Sequence, residues 1–349
     1  MGPYIINVDG LQLTKEESEL INHELVGGVI LFAKNYSNKD QITSLIQSIK
    51  DIKDNLIISV DHEGGRIQRF INNFTKLPSF HEISQIDDKD KKELVAYNVG
   101  YVAGHELSSI GINMNFSPVV DLSITGSSKL LDGRIFGSEV NQVIRLASCY
   151  IEGLKKTGVM PVLKHYPGHG RVTTDTHSQF CTCDSSKEEI INQDILPFKI
   201  LHDKYTIPIM TNHICYKNID KNICTYSSEL LKIILGEMVK IKPIIISDDL
   251  EMYSAKYFDN HLINYESRVL QALDAGCDYL IISTNLVKED EYSTSANYYM
   301  DNYITENILT FYRENHDKMK LFSPISESRS DNEFYAKCKK DIENMKKAT

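Results

Sequence analysis

The segment Pro161–His177, with the sequence PVLKHYPGHGRVTTDTH, joins two kinds of predicted structure. It begins with Val162 and Leu163, which are typical of a buried strand, and then breaks at Pro167-Gly168 into a polar loop. A rigid scaffold often carries function on such a loop, so the segment favours a functional site over a solvated, histidine-rich surface loop. Its titratable side chains are those of Lys164, His165, His169, Asp175 and His177.

Short apolar segments of the same kind recur along the chain and predict eight strands. Most are rich in Val, Ile or Phe, and each ends in a polar or Gly/Pro turn, as buried parallel strands do. The predicted strands are Tyr4–Val8, Gly28–Phe32, Leu56–Asp61, Ile112–Ser117, Pro161–His165, Ile207–His213, Pro243–Asp248 and Asp278–Ser283.

The segments between these strands have helical periodicity, and several begin with Asp or Ser, which are preferred N-cap residues. The predicted helices are Glu16–Glu24, Asp40–Lys53, Lys89–Ser109, Ser138–Lys156, Ser186–His202, Ser227–Lys240 and Ser267–Ala275. This alternation predicts an α/β protein with a single (β/α)8 barrel over residues 1–290. A doubly wound open sheet is the alternative, but no glycine-rich phosphate loop follows the first strand. We expect residues 291–349, which are more polar, to form a C-terminal helical extension packed on the barrel.

Composition and charge narrow the class of protein. The chain has 349 residues, of which 42% are hydrophobic and 25% charged, as in ordinary globular proteins. The net charge of −10 argues against nucleic acid or an anionic membrane as the main partner. Seven cysteines without a CxxC pair indicate reduced thiols. There is no signal-peptide pattern and no apolar run long enough to span a membrane, so we expect a cytoplasmic protein.

Polar residues gather where the predicted strands end. In barrel enzymes the active site lies at the carboxyl ends of the strands, so these side chains should converge on one site. They follow strands three to seven and comprise Asp61, His62, Glu63, Arg66, Arg69, Asp121, Asp132, Arg134, Lys164, His165, Asn212, His213, Asp248 and Asp249, together with the loop through His177.

Three of these segments carry a resemblance to a known family. Lys164–Gly170, followed by Asp175-Thr176-His177, resembles the signature of family 3 glycoside hydrolases of the β-N-acetylglucosaminidase branch. Asp61–Arg66 and Ser247–Met252 are similar to two further family motifs, and the similarity runs from residue 2 to about residue 285. The resemblance implies a barrel enzyme that hydrolyses terminal β-N-acetylglucosaminides with retention of configuration and without a cofactor or metal.

The resemblance also implies roles for particular residues. Asp248 matches the nucleophile, and His177 matches the acid/base, with Asp175 orienting the imidazole ring and supporting its charged form. Asp249 follows Asp248 on a strand, so we expect its side chain on the opposite face in a structural role. The positions implied to bind the hydroxyls of the terminal N-acetylglucosamine are Asp61, Arg69, Arg134, Lys164 and His165.

Other residues give narrower expectations. His62 stands where the family usually has Gln, and Asn212 where relatives more often have Ala, so either could alter a sugar contact. We expect His169 to hydrogen-bond within its tight turn, and Glu63 to pair with Arg66. Taken with the absence of a signal peptide, the resemblance implies a monomeric cytoplasmic enzyme. Its substrates would be muropeptides from peptidoglycan turnover, namely N-acetylglucosaminyl-β-1,4-anhydro-N-acetylmuramic acid and its peptide-bearing forms.

Four alternatives remain open from the residues alone. A His/Asp cluster at a barrel mouth could hold zinc, as in metal-dependent amidohydrolases, although the first strand lacks their histidine pair. The substrate's own acetamide could act as the nucleophile. Phosphate could replace water, because a histidine acid/base does not repel an anion as a carboxylate does. The chain could also bind sugar without catalysis. We further expect the His177 loop to move between open and closed positions.

Overall fold

The computed structural model describes residues 2–124, 131–233, 240–283, 295–318 and 331–348. Within these ranges, nine strands form one parallel sheet, and we label them β1 to β9 in chain order. They are β1 Tyr4–Asn7, β2 Val26–Leu31, β3 Ile57–Val60, β4 Met114–Asn115, β5 Met160–Pro161, β6 Leu163–Tyr166, β7 Ile209–Thr211, β8 Ile245–Ser247 and β9 Tyr279–Ile282.

Helices follow most of these strands. Of the predicted Asp and Ser caps, Ser186 and Ser227 each accept a backbone N–H from the first turn of the helix that follows. The helices predicted to begin at Asp40 and Ser267 are capped instead by Asn38 and Asn264. The helices in the described ranges are α1 Lys15–Ile21, α2 Lys39–Ile52, α3 Phe80–Ser84, α4 Lys89–Ser109, α5 Val140–Lys155, α6 Lys187–Glu189, α7 Ile195–Tyr205, α8 Ser228–Lys232, α9 Tyr265–Ala275, α10 Ser295–Asn302, α11 Glu306–Asn315 and α12 Asn332–Ala348.

The order of the strands closes the sheet into a barrel. It runs β5-β4-β3-β2-β1-β9-β8-β7-β6, so the two edge strands are consecutive pieces of one segment, separated only by Val162. The N–H of Val162 donates to the carbonyl of Ser117, just beyond β4, at 3.0 Å. The predicted (β/α)8 barrel is therefore confirmed. The predicted fifth strand is divided, because Met160 and Pro161 pair with β4 whereas Leu163 and Tyr166 pair with β7.

The apolar core has two layers, one on each face of the sheet. Successive strand residues point to opposite faces, so Ile5 of β1 packs inside the barrel while its neighbours Tyr4 and Ile6 pack against the helices. The interior cluster comprises Ile5, Ile30, Ile57, Met114, Phe116, Val162, Met210, Ile246, Tyr279 and Ile281. Because this apolar cluster fills the barrel interior, we expect a site at an end of the barrel.

Two predicted helices differ from the structure. Ser186–His202 was expected as one helix, but a π-helical segment, Ile190–Asp194, separates α6 from α7. Pro197 in the first turn of α7 lacks the N–H that a continuous helix would need there. Of the predicted helix Ser227–Lys240, α8 covers Ser228–Lys232, and residues 234–239 lie outside the described ranges.

The C-terminal helices contact the barrel and its surrounding helices. The hydroxyl of Tyr299 in α10 lies 2.6 Å from the carbonyl oxygen of Ile282 at the end of β9. The hydroxyl of Tyr335 in α12 donates to Glu106 of α4 at 2.6 Å. A division at residue 290 stays a prediction, and residues 291–294, 319–330 and 349 lie outside the described ranges. None of the helices in the described part of the chain has the length and apolarity needed to cross a bilayer.

Candidate active site

A cavity of about 290 Å³ opens among the residues that follow the barrel strands. Its volume is at the lower end of the usual range for small-molecule sites, about 300–1,000 Å³. Its apolar part comes from the barrel interior, including Ile30, Phe116, Met210 and Ile281. Seven of the eight predicted site residues line it, namely Asp61, Arg69, Arg134, Lys164, His165, His177 and Asp248. Their roles stay predictions, but the barrel brings them to one place.

One side of the cavity is built on a buried ion cluster. The Nζ of Lys164 donates to Oδ1 of Asp61 at 2.8 Å and to Oε1 of Glu63 at 2.7 Å. Arg134 contacts Glu63 through two hydrogen bonds, Nε to Oε2 at 2.9 Å and Nη2 to Oε1 at 2.7 Å. Buried charges are costly unless they are paired in this way, so the cluster holds its members in fixed positions. We call Asp61, Glu63, Arg134 and Lys164 the charged cluster.

Both acids of the charged cluster are ionised at neutral pH. Burial alone would raise the pKa of Glu63, but Arg134 and Lys164 lower it to about 2. Burial acts on Asp61 in the same way, and the charges of Lys164 and Arg69 outweigh it and lower the pKa of that carboxyl. The cluster can therefore offer charged acceptors and donors to sugar hydroxyls.

The predicted pair of Glu63 with Arg66 is wrong. The hydrogen-bond partners of Glu63 are Arg134 and Lys164, and the Nε of Arg66 donates to the carbonyl of Asp132 at 3.0 Å. Arg134 lies 71 residues after Glu63 in sequence, so their contact depends on the barrel and not on local spacing.

Asp121 orients His165 at the same side of the cavity. Oδ2 of Asp121 lies 2.8 Å from Nδ1 of His165, and Oδ1 accepts the backbone N–H groups of His165 and His169 at 3.1 and 2.8 Å. Burial would raise the pKa of Asp121, but the imidazole of His165 and the other contacts lower it overall. With Asp121 ionised, Nδ1 of His165 carries a proton, and Nε2 is free of this pairing.

Asp248 directly follows β8 and lines the cavity. Its Oδ1 accepts the backbone N–H of Asp249 at 2.8 Å. Burial would raise the pKa of Asp248, but His165, His213 and His177 lower it below the ordinary value. The group is therefore a carboxylate at neutral pH, which is the form that a nucleophile needs.

Asp249 has a different environment from its neighbour. Its Oδ1 accepts the N–H groups of Glu251 and Ser283 at 3.0 and 3.1 Å, which ties the segment after β8 to the end of β9. Burial raises its pKa well above the ordinary value. These bonds support the structural role that we expected. The side chain nevertheless reaches the cavity wall, because β8 ends at Ser247 and strand alternation does not continue beyond it.

His177, which also lines the cavity, belongs to the loop Thr174–Phe180, which we call the His177 loop. Nδ1 of His177 lies 2.8 Å from Oδ1 of Asp175, and the same oxygen accepts the backbone N–H of His177 at 2.9 Å. The two side chains are 42% and 47% exposed. Burial would raise the pKa of Asp175, but the N–H and the ring of His177 lower it. Asp175 thus holds one ring nitrogen and leaves the other available for proton transfer.

Ser254, which the sequence did not single out, anchors the His177 loop. Its backbone N–H donates to the carbonyl of Thr176 at 3.2 Å, and its Oγ donates to the carbonyl of Gln179 at 2.9 Å. The hydroxyl also accepts the N–H of Cys181 at 3.3 Å. A serine six residues after Asp248 carries no local signal for this role.

Two residues depart from the family pattern, and the structure locates both. The ring of His62 is buried against Phe70 and Phe74 and does not line the cavity. Asn212 also lies outside the cavity wall, where it donates to the carbonyl of His165 at 3.1 Å. These two departures from the family pattern therefore affect residues that pack behind the cavity and not residues that line it.

The prediction for His169 is wrong. Its ring nitrogens have no hydrogen-bond partner among the described residues, and the ring lines the cavity instead of bonding within its turn. Gly168 before it has a positive φ of +140°, and a Cβ there would lie 2.9 Å from Cβ of Asp194, so the turn requires glycine.

The described residues also bear on the metal-dependent alternative. In this part of the chain, no three His, Cys, Asp or Glu side chains lie together in a way that could hold a metal ion. The histidines of the cavity are instead paired with carboxylates or face the cavity singly.

Comparisons with known proteins agree with this geometry. The model of the glycosyl hydrolase family 3 N-terminal domain matches residues 5–306. The Beta-hexosaminidase of Psychromonas ingrahamii is 38% identical over 287 residues, which cover 82% of this chain and 83% of that protein. The Beta-hexosaminidase of Glaesserella parasuis is 39% identical over 280 residues, covering 80% of this chain and 79% of that protein.

Solved structures give the same result. Native NagZ from Neisseria gonorrhoeae has a TM-score of 0.79 and 28% identity, and the match covers 99% of this chain and 97% of that one. NagZ from the same organism in complex with N-trifluoroacetyl-D-glucosamine has a TM-score of 0.80 and 29% identity, covering 99% and 98%.

A barrel with a carboxylate nucleophile candidate and a histidine–aspartate pair at its mouth is the architecture of a glycoside hydrolase. The chain belongs to glycosyl hydrolase family 3. The resemblance seen in the sequence is confirmed at the level of the family and of the enzyme class.

Proposed function

We propose that the chain is a retaining exo-β-N-acetylglucosaminidase that removes terminal N-acetylglucosamine from muropeptides in cell-wall recycling. The observation that carries the proposal is the meeting of Asp248 and His177 in one cavity, with Asp175 on the far nitrogen of His177. The names of the relatives, and the N-acylglucosamine bound to the structurally similar NagZ, support this choice of sugar.

The reaction would proceed in two steps through a covalent intermediate. The carboxylate of Asp248 attacks the anomeric carbon, the glycosidic C–O bond breaks, and protonated His177 gives its proton to the departing oxygen. Water then attacks the same carbon, His177 takes a proton from that water, and the bond to Asp248 breaks. Two inversions at one carbon give retention. Asp175 stabilises the imidazolium whenever His177 carries the extra proton.

The remaining cavity residues would bind one terminal sugar. The charged cluster presents fixed donors and acceptors for hydroxyl groups, and Arg69, 3.6 Å from Asp61, would add another donor. The apolar barrel interior closes the base of the cavity, so a chain cannot thread through it. A closed site that holds a single sugar supports exo action.

The proposal includes a cytoplasmic, monomeric enzyme without a cofactor. All seven cysteines are free, which suits a reducing compartment. In that compartment the substrates would be N-acetylglucosaminyl-β-1,4-anhydro-N-acetylmuramic acid and its peptide-bearing forms.

The decisive experiment measures hydrolysis of 4-nitrophenyl N-acetyl-β-D-glucosaminide and of the anhydromuramic disaccharide without added metal. The stereochemistry of the released sugar is followed by proton NMR. The β-anomer should appear first, and a fluorinated substrate should label Asp248 covalently. Release of the α-anomer would exclude retention. Retention without a label on Asp248 would instead favour the substrate's acetamide as the nucleophile.

A second candidate is an N-acetylglucosaminide phosphorylase that uses the same residues. The observation in its favour is that the proposed acid/base is a histidine and not a carboxylate. His177 lines the cavity, and its side chain is partly exposed. A histidine does not repel an incoming phosphate as a carboxylate would. Formation of N-acetylglucosamine 1-phosphate, at a rate that rises with phosphate, would establish this reaction. Loss of activity with a chelator would favour the metal-dependent class.

A further inference from the structure

The side chain of His169 lines the cavity but, unlike those of Lys164 and His165, has no hydrogen-bond partner among the described residues. The residue is 2% exposed, and neither ring nitrogen has a hydrogen-bond partner among the described residues. By contrast, Lys164 and His165 are held by carboxylates. A buried polar group without a partner is costly, and such a group in a binding cavity points to a ligand that supplies the partner.

The position of His169 narrows the part of the ligand that it can reach. Its ring packs edge-to-face against His165 with centroids 6.0 Å apart. The carboxylates of Asp121 and Asp248 both act on its protonation, and its ring in turn acts on Asp175. His169, Asp248 and His177 all line the same cavity, so the imidazole lies near both the proposed nucleophile and the proposed acid/base. The sugar atoms between those groups are the anomeric carbon and its direct neighbours.

The charge state of His169 suits a neutral partner. Burial lowers its pKa to about 4, and the opposing effect of Asp121 is smaller. The ring is thus neutral at physiological pH, with one N–H donor and one lone-pair acceptor. An amide likewise has one donor and one acceptor and carries no charge. In N-acetylglucosamine the amide is attached to C2, the carbon bonded to the anomeric carbon.

We propose that the imidazole of His169 hydrogen-bonds to the 2-acetamido group of the bound sugar and so selects N-acetylated substrates. The proposal rests on the proposed function, since it assigns a partner within the same sugar site. The charged cluster would hold the hydroxyls on the other side of the ring, and His169 would recognise the substituent that distinguishes N-acetylglucosamine from glucose.

The test compares two sugars that differ only at C2. Dissociation constants for N-acetyl-D-glucosamine and D-glucose are measured by NMR titration of the whole protein, for wild type, His169→Leu and His169→Gln. The matched control is His62→Leu, because His62 is also a buried histidine whose ring nitrogens have no hydrogen-bond partner among the described residues, and it lies outside the cavity wall. Melting temperatures of all variants verify folding.

We expect His169→Leu to weaken N-acetyl-D-glucosamine binding about 10-fold and D-glucose binding less than about 2-fold. His169→Gln, which keeps a donor and an acceptor, should recover most of the loss, and His62→Leu should bind both sugars as wild type does. Equal weakening of both sugars, or unchanged binding of N-acetyl-D-glucosamine, would overturn the proposal.

The failure of this proposal can be told apart from that of the proposed function. A wild-type protein that binds N-acetyl-D-glucosamine but does not hydrolyse its glycosides would contradict the proposed function and leave the binding test valid. A wild-type protein that binds neither sugar would contradict both.

Discussion

The charged cluster and the His177 loop both contribute to the cavity, yet they hold their polar groups in opposite ways. Lys164 and Glu63 are each 2% exposed, and the bonds from Lys164 are 2.7–2.8 Å long. His177 and Asp175 are about half exposed and share a contact that neighbouring residues in a turn provide. One side is fixed by the barrel, whereas the other depends on a short loop.

The difference in burial suggests a division of roles, in which the charged cluster binds the sugar and the His177 loop takes part in the reaction. A binding surface gains from being preorganised, because the sugar then spends no free energy on arranging it. An acid/base group must instead meet a leaving group and release it, and a surface loop allows that movement. We therefore expect changes in the charged cluster to affect stability and binding together, and changes in the His177 loop to affect turnover alone.

Asp248 lines the same cavity, and its replacement should have the largest effect. Asp248→Asn removes the proposed nucleophile but keeps the shape of the side chain and its acceptor for the N–H of Asp249. We expect kcat to fall about 10⁴-fold or more, with an unchanged melting temperature. Kinetics on the 4-nitrophenyl substrate and calorimetry provide the test. Activity within about tenfold of wild type would assign the nucleophile elsewhere.

Glu63→Gln should produce the next largest effect, this time on stability. The substitution leaves Arg134 and Lys164 buried without one of their counter-charges. Breaking a buried ion pair in this way costs about 3–5 kcal/mol. Denaturant unfolding of wild type and Glu63→Gln measures the difference. A loss below about 1 kcal/mol would mean that solvent reaches the cluster and that the two sides differ less than the structure indicates.

The contrast between the two sides also explains what the sequence could predict. Strand–helix periodicity was sufficient for the barrel, and the order of strand ends placed Asp61, Lys164 and Asp248 at one mouth. Asp175 and His177 are paired within three consecutive residues, so local sequence contained their contact. The partners of Glu63 could not be inferred, because Arg134 comes from the loop between β4 and α5 and Lys164 comes from β6.

Three further features that the sequence did not predict have the same physical origin. The division of the fifth predicted strand at Val162 depends on which neighbours close the barrel. The ring of His169 points into the cavity because Asp121 holds its backbone N–H, a contact between residues 48 positions apart. Ser254 anchors the His177 loop from the segment that follows β8. Each depends on packing between distant segments, which local propensity does not contain.

His177→Ala tests the loop side and should separate turnover from stability. We expect kcat for the 4-nitrophenyl substrate to fall about 10²-fold, the lower end for general acid–base catalysis, because nitrophenolate leaves with little protonation. For the anhydromuramic disaccharide, kcat should fall by a larger factor. The melting temperature should remain that of wild type, since the side chain is 42% exposed. Equal losses on the two substrates would argue against a role in protonating the leaving group.

Asp175→Asn should have a smaller effect on turnover. The amide can still accept the N–H of His177, but it no longer stabilises the imidazolium. Because Asp175 is 47% exposed, solvent can take over part of that stabilisation, and we expect kcat to fall about tenfold. Comparison with His177→Ala and the double variant measures the coupling. Additive losses would show that the two residues act independently, contrary to the hydrogen bond between them.

The smallest effect that distinguishes the two sides is the response to acid. The pKa of Glu63 in the folded protein, about 2, lies below its ordinary value of 4.5. Stabilisation by ionised Glu63 is therefore complete above that ordinary value and declines as the pH falls toward the folded pKa. Between pH 5 and pH 3.5 the loss amounts to about 1 kcal/mol. The difference in unfolding free energy between wild type and Glu63→Gln should shrink by that amount over the same interval.

Asp175→Asn is the matched control for this measurement. The pKa of Asp175 is also lowered, so the sign is the same, but its exposed position weakens the contribution to stability. The difference in unfolding free energy between wild type and Asp175→Asn should change by less than about 0.5 kcal/mol between pH 5 and pH 3.5. If both variants responded equally to acid, the charged cluster would be no better shielded from water than the loop, and preorganisation could not explain how the cavity binds its sugar.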